Sequence, residues 1–149
     1  MERITPMSFI KRVVNAPSGS RKARPVTRLK IVNLTRETVL AESAEVADHG
    51  AARNKGLLGR DGLPVGGGLW IVPCEAVHTF GMRFAIDLVY IDRNKIVKKV
   101  RSGVAPWRLS GCLSAHSIIE LPAGVVASSQ TCPGDRLLFS SGEMPPAHD

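Results

Sequence analysis

Short apolar runs separated by turn-forming residues extend along the chain from about residue 27. Residues 29–33 alternate between apolar and polar positions, and the pattern resumes at residues 38–41 after a short polar break, which predicts a β-hairpin. Residues 86–92 are apolar on both faces of the pleat and therefore predict a central strand. Residues 96–104 are predicted to return beside that strand, and the three basic residues within them indicate an exposed edge or a bulge.

The rest of the chain predicts one short helix and several further strands. Asp48 is a candidate N-cap for a helix that Gly59 would end. Three glycines at residues 66–68 lack the Gly-Lys-Ser/Thr of a phosphate-binding loop and are interpreted as a flexible connector. Pro122 is favoured at the start of a helical turn. Further strands are predicted at residues 69–72, 116–121 and 136–139.

Together these elements predict the fold class. We expect a β-dominated α+β domain, in which mostly antiparallel strands form a small barrel-like sheet with one short helix and a second helical turn. The chain has 149 residues, which suits a single compact domain. We expect residues 1–26 to be a basic, disordered arm, residues 27–140 to be the domain, and residues 141–149 to be a disordered tail.

The composition of the chain indicates the cellular compartment in which the protein is expected. The chain has no run of about 18 apolar residues, and its N-terminus lacks the apolar segment of a signal peptide, so we expect no membrane span or membrane partner. Three widely spaced cysteines indicate a reducing compartment. The sequence therefore predicts a cytoplasmic protein.

The net charge of +7 is unevenly distributed. Residues 1–26 hold six basic side chains against Glu2, so most of the excess charge lies in the arm. Such an arm can bind nucleic acid phosphates or an anionic membrane surface, or it can simply be a solvated leader. The remainder lacks a basic stripe interleaved with aromatic residues, so a nucleic acid partner would be bound only through residues 1–26.

Two Cys-x3-His spacings raise the question of a metal or of a nucleophile. Cys74 with His78 and Cys112 with His116 would supply two thiolates and two imidazoles for zinc. Residues four apart are about 6 Å apart along a helix but about 13 Å apart along a strand, and both pairs adjoin predicted strands. We therefore predict no metal and no cofactor. A hydrolase-type enzyme that uses Cys74 and His78, with or without a metal, stays as an alternative.

The approach to the central strand is the best candidate for a ligand site. Asp87 lies on a very apolar strand, where Arg83 or Arg60 would be its natural bidentate partner. That pair can be a structural ion pair, or its arginine can face a pocket. Together with His78, Thr79 and Trp107, these residues predict a pocket for a small polar, anionic or saccharide-like molecule. The predicted function is thus a binding or accessory module, with catalysis the less favoured reading.

Several ordered motifs resemble a known family. RNKGLLGR at residues 53–60, HTFGMRFAIDLVYID at 78–92, APW at 105–107 and IELPAG at 119–124 resemble the domain-of-unknown-function 192 family of uncharacterised prokaryotic proteins. The resemblance covers residues 29–138 and implies a compact, strand-rich α+β fold without an established activity. Its pattern includes Arg60, His78, Met82, Arg83, Asp87 and Glu120.

Overall fold

The computed structural model describes residues 25–141. Within that range, strands dominate the chain and two short helices interrupt them. The elements are β1 (Arg28–Asn33), β2 (Thr38–Ala47), α1 (Gly50–Lys55), β3 (Gly67–Ile71), β4 (Ala76–His78), β5 (Ile86–Ile91), β6 (Val97–Val104), β7 (Leu109–Gly111), β8 (Ser117–Pro122), α2 (Val125–Ser129) and β9 (Leu137–Ser141). No helix among these residues is both long and apolar enough to cross a membrane.

Seven of the strands form one sheet in the order β6-β5-β8-β3-β2-β1-β9. Neighbours are antiparallel except β2 and β3, which are parallel because the chain crosses over through α1 between them. β4 and β7 form a separate antiparallel ribbon, in which His78 is paired with Leu109 and Val77 with Ser110. The fold is therefore a β-dominated α+β fold, and that prediction is confirmed.

The large sheet curls into a half-barrel. One buried cluster joins Ile31 of β1 to Val89 of β5, although three strands separate them in the sheet. Such a contact requires the sheet to bend round on itself, and a bridge between Ile96 and Arg136 connects its two edge strands at one end. A second cluster lies on the other side of β3, β5 and β8, beneath the β4–β7 ribbon. The central strands are thus buried on both faces, as the unbroken apolar run of β5 indicates.

Asp87 is fully buried, but it is not the partner of an arginine. Its carboxylate accepts backbone N–H groups from Gly103 on β6 at 2.8 Å, from Gly124 at 3.1 Å and from Val126 on α2 at 2.8 Å. The predicted ion pair with Arg83 or Arg60 is wrong. Backbone donors from two distant segments converge on the carboxylate and compensate the cost of its burial, which the local sequence does not show.

The glycine run also differs from the prediction. Gly67 and Gly68 are buried at the start of β3 instead of forming a flexible connector. A Cβ atom at Gly67 would lie 2.9 Å from Cγ of Pro64, and one at Gly68 would lie 3.1 Å from Cδ2 of Leu121. The glycines are therefore required by close packing.

Other predictions need smaller corrections. The N-cap of α1 is His49 and not Asp48, and the helix ends at Gly56 before it reaches Gly59. The hairpin of β1 and β2 is confirmed, as is the edge position of β6. β4 and β7 have three residues each, which is too short for a periodic signal, and they were not predicted. The predicted arm and tail lie almost wholly outside the described residues.

Candidate functional site

Three stacked rings form a flat, partly exposed surface beside the β4–β7 ribbon. The ring of His78 stacks on Phe80 with centroids 4.9 Å apart, and Phe80 stacks on Trp107 at 5.9 Å. His78 is buried, whereas Phe80 is 39% exposed and Trp107 is 66% exposed. We call these three residues the aromatic platform. Phe80 and Trp107 are exposed to solvent, and the buried ring of His78 lies beneath Phe80.

The ribbon sets the orientation of the platform. Side chains alternate between the two faces of a strand. Val77 packs in the core, and the hydroxyl of its partner Ser110 accepts a 2.6 Å hydrogen bond from the hydroxyl of Tyr90. His78 and its partner Leu109 therefore lie on the opposite, outward face, where Leu109 is 59% exposed. His78 is buried because Phe80 covers it, and Nδ1 of His78 accepts the backbone N–H of Phe80 at 3.2 Å.

Trp107 adopts an uncommon backbone conformation, with φ at 65°. A bulky residue rarely occupies the left-handed region, where the conformation costs on the order of 1–3 kcal/mol. Thr79 fixes it in place: its carbonyl accepts the N–H of Trp107 at 3.0 Å, and its hydroxyl accepts the N–H of Arg108 at 2.9 Å and donates to the carbonyl of Ala105 at 2.7 Å. The buried Thr79 thus supports the platform.

Two guanidinium groups accompany the platform residues along the chain. Arg108 is exposed and donates from Nη1 to the carbonyl of Trp107 at 3.3 Å, so its side chain lies along the Trp107 backbone. Arg83 is 63% exposed and pairs with Asp61 at 2.6 Å. Arg108 therefore lies at the margin of the platform with donors left for a ligand, because a guanidinium carries five N–H groups.

Other predicted site residues lie elsewhere. Arg60 pairs with Glu45 at 2.6 Å and lines a cleft of about 460 Å³ between α1 and the start of β1. Cys74 packs in the core, where its thiol donates to the carbonyl of Ala76 at 3.2 Å. Asp87 lies on the opposite face of β5 from Tyr90, and so on the far side of the sheet from the ribbon. The structure brings His78, Thr79 and Trp107 together and leaves Arg60, Cys74 and Asp87 apart from the platform.

A second cleft, of about 510 Å³, lies at the other end of the ribbon. Its lining residues include Cys74, Glu75, Asp92, Arg93, Asn94, Ser114 and His116. The pKa of His116 is lowered, first by burial and then by the positive charges of Arg93 and Lys95. His116 is therefore a neutral imidazole near pH 7. Among residues 25–141, no group of three or more His, Cys, Asp or Glu side chains is arranged to hold a metal ion.

Sequence reasoning missed Phe80 of the platform and Arg108 at its margin. Both adjoin residues that it did select, since Phe80 lies in the HTFGM segment and Arg108 follows APW. The signal available in the sequence was the presence of two aromatic residues, Phe80 and Trp107. Nothing in the sequence shows that these two residues, 27 positions apart, pack together. The cleft around His116 was missed for the same reason, because its walls come from three separate turns.

Comparison with known families gives a match along most of the domain. The model of the domain-of-unknown-function 192 family, described as "Uncharacterized ACR", matches residues 31–139. No curated protein matches the sequence.

Two solved structures resemble this fold. One is from Sinorhizobium meliloti 1021 and is called a "putative transcription regulator"; it is 17% identical, covers 80% of this chain and 98% of its own, and has a TM-score of 0.69. The other is a protein of unknown function from Novosphingobium aromaticivorans DSM 12444; it is 13% identical, covers 92% of this chain and 99% of its own, and has a TM-score of 0.67. At these identities the likeness establishes the shared fold alone.

Proposed function

The chain belongs to the domain-of-unknown-function 192 family, and we propose that it is a small binding module that holds a saccharide-like ligand on the aromatic platform. The observation that carries this proposal is Trp107. The residue is 66% exposed and its backbone is at φ 65°, so neither core packing nor backbone preference accounts for a tryptophan at this position. Strained, exposed aromatic residues that a rigid support holds in place are typical of ligand sites.

The chemistry of the platform favours a ring with an apolar face and a polar edge. A pyranose ring presents C–H groups on its face, which pack against an aromatic ring, while its hydroxyls project sideways toward hydrogen-bonding groups. Phe80 and Trp107 supply the apolar surface, and Arg108 supplies N–H donors at its margin. His78 extends the stack from below and orients Phe80 through its hydrogen bond. Each group has a role that a saccharide-like ligand would use.

Indole signals in a ¹H–¹⁵N NMR spectrum test this proposal directly. The chain has two tryptophans, and the Nε1–H of Trp70 donates to Ser117 at 2.9 Å away from the platform. We expect ring saccharides to shift the Trp107 indole signal with an apparent Kd of about 1 mM or weaker, corresponding to roughly −4 kcal/mol. The Trp70 signal should stay in place, and the open-chain polyol sorbitol should produce no shift because it lacks a rigid face.

Matched variants separate binding from folding. Trp107→Gly should abolish the response while leaving the melting temperature unchanged or raised, since glycine adopts positive φ without steric cost. Leu113→Ala removes another exposed apolar side chain, 88% exposed, and should leave binding intact. The proposal fails if no saccharide in a broad panel shifts the Trp107 signal, or if the shifts persist in Trp107→Gly at other platform signals.

A second candidate function rests on charge. Six of the chain's basic residues lie within residues 1–24, and one solved structure with this fold is called a transcription regulator in the tentative form quoted above. We propose nucleic acid binding through this arm as the alternative. Fluorescence anisotropy with a DNA duplex should show binding that weakens steeply with salt and disappears when residues 1–26 are deleted. Equal binding by the full chain and the deletion variant would eliminate the arm as the contact.

The proposed setting is a reducing compartment such as the cytoplasm. Cys74, Cys112 and Cys132 are all free thiols, which supports this setting. The enzyme alternative keeps less support, because Cys74 packs in the core whereas His78 lies on the outward face of the ribbon under Phe80. An inert Cys74 in a mild alkylation assay of the folded protein would count against it.

A further inference from the structure

A second cleft lies at the opposite end of the ribbon from the aromatic platform. His116 faces the cleft of about 510 Å³, and both of its backbone groups are used: its N–H donates to Ile91 at 2.8 Å and its carbonyl accepts the N–H of Cys74 at 2.9 Å. Its half-buried imidazole, by contrast, makes no hydrogen bond within the described part of the chain. A fixed, half-buried imidazole that opens into a cleft is available to a ligand.

The charges around this imidazole are positive. Arg93 lines the same cleft and forms no ion pair among residues 25–141, so its guanidinium is available. Lys95 lies two residues further along the same turn, but its Nζ lies 5.0 Å from the centroid of the Trp70 ring and not in the cleft, so only its longer-range charge acts on His116. Asn94 adds a side-chain amide between them, and its own backbone N–H is bound to Asp92 at 2.8 Å. The turn thus presents one guanidinium and one amide to the cleft beside a neutral imidazole, with a second positive charge outside the cleft.

Two carboxylates also line the cleft, and their charges must be weighed. Asp92 accepts the N–H groups of Asn94 and Ile96 and lies 3.4 Å from Nζ of Lys98, so its charge is compensated within the turn. Glu75 is half-buried on the opposite wall and adjoins the ribbon through its carbonyl, which accepts the N–H of Cys112 at 2.8 Å. After burial, the positive charges of Arg93 and Lys95 are what lower the pKa of His116. A negative group beside His116 would pair with Arg93 and would be favoured by the charge of Lys95.

We propose that this cleft binds the oxyanion of a small ligand, a phosphate, sulfate or carboxylate group, through Arg93, Asn94 and His116. The guanidinium would form a bidentate contact with two of the oxygens, which is the geometry that arginine favours. The imidazole would hydrogen-bond to a further oxygen and would gain proton affinity from the nearby negative charge. This site is independent of the saccharide proposal, since it lies at the other end of the ribbon.

Sodium sulfate, inorganic phosphate and sodium acetate are the probes, each compared with sodium chloride at matched ionic strength to remove general screening. At constant neutral pH, we expect the backbone amide signals of Asn94 and His116 to shift and saturate with the oxyanion but not with chloride. In a pH titration of the imidazole C–H signal, we expect the bound anion to raise the pKa of His116, with a gain in proton affinity of about tenfold. A response to acetate alone would assign a carboxylate ligand, and a response to phosphate and sulfate alone would assign a phosphate-like one.

Two substitutions decide the result. Arg93→Gln removes the proposed contact from an exposed turn and should abolish the saturable shifts with the fold retained. Arg108→Gln removes the same charge from the margin of the platform and should leave the oxyanion shifts unchanged. The proposal is overturned if the oxyanions act no differently from chloride, or if Arg93→Gln responds as the parent protein does. Because the Trp107 indole reports on the platform separately, failure here and failure of saccharide binding are distinguishable.

Discussion

Replacing Asp87 by alanine tests most directly how β5 is joined to β6 and to the start of α2. The carboxylate is fully buried and accepts the N–H groups of Gly103, Gly124 and Val126. A hydrogen bond to a charged acceptor contributes about 1.5–3 kcal/mol, and these contributions are not additive. Gly103 and Gly124 are exposed, so water can replace the carboxylate there, whereas the N–H of Val126 is buried. We therefore expect Asp87→Ala to lower the free energy of unfolding by about 3–5 kcal/mol.

The conservative change Asp87→Asn should be less destabilising than Asp87→Ala but should still lower the free energy of unfolding. An asparagine oxygen can still accept from Gly124 and Val126, but its NH₂ group then faces the N–H of Gly103, and two donors cannot bond to each other. We expect a loss of about 1.5–3 kcal/mol. Urea unfolding followed by far-ultraviolet circular dichroism measures both variants, and since natural domains are stable by about 5–15 kcal/mol, a loss of this size is well resolved.

Arg83→Ala is the matched control, because it separates this account from an arginine–aspartate ion pair. Arg83 contacts Asp61, and both side chains are largely exposed, at 63% and 88%. An exposed pair contributes about 0–1 kcal/mol, so Arg83→Ala should change stability little. The reasoning is refuted if Asp87→Ala unfolds within about 1 kcal/mol of the parent protein, or if Arg83→Ala is as damaging as Asp87→Ala.

Two further predictions concern the buried sheet. Tyr90 is the chain's sole tyrosine, and burial raises its pKa from 10.0 to about 12 although its hydrogen bond to Ser110 opposes the shift. Its contribution to stability is therefore complete below pH 10 and is lost as the pH rises from about 10 to about 12; a phenolate absorbance at 295 nm with a midpoint near 10 in the folded protein would contradict this. Gly68→Ala should destabilise by about 1–3 kcal/mol, since its Cβ would lie 3.1 Å from Leu121, whereas Gly62→Ala, with nothing within 4 Å, should be nearly neutral in the same thermal melt.

The sequence predicts the strands of this fold better than it predicts their polar contacts. The apolar run of β5 predicts a strand buried on both faces, and the alternation in β1 and β2 predicts their hairpin, because each signal is local. The partners of Asp87 cannot be found in this way. They are backbone N–H groups 16, 37 and 39 residues further along, and a backbone N–H is present at every residue except proline.

Very short strands and close contacts between distant segments are also hard to predict from the sequence. β4 and β7 have three residues each, yet they determine which face His78 presents. Gly67 and Gly68 resemble a loop by composition, although the bulk of Pro64 and Leu121 is what requires glycine there. In both cases the decisive quantity is a distance between segments, which a single sequence does not contain.

The segment HTFGMRFAID contributes residues to both faces of the sheet, with Asp87 on one face and His78, Thr79 and Phe80 at the aromatic platform on the other. The contacts of these residues indicate which of them the fold itself requires. Asp87 accepts hydrogen bonds from backbone N–H groups inside the curled sheet, and Thr79 forms hydrogen bonds with the turn around Trp107. Both side chains therefore stabilise the fold. The stack of His78 and Phe80 ends in Trp107, whose ring adds little to the core. Selection for stability alone would favour glycine at φ 65° and a polar side chain at 66% exposure. Because Trp107 meets neither preference, the platform is the part of this surface that stability does not explain.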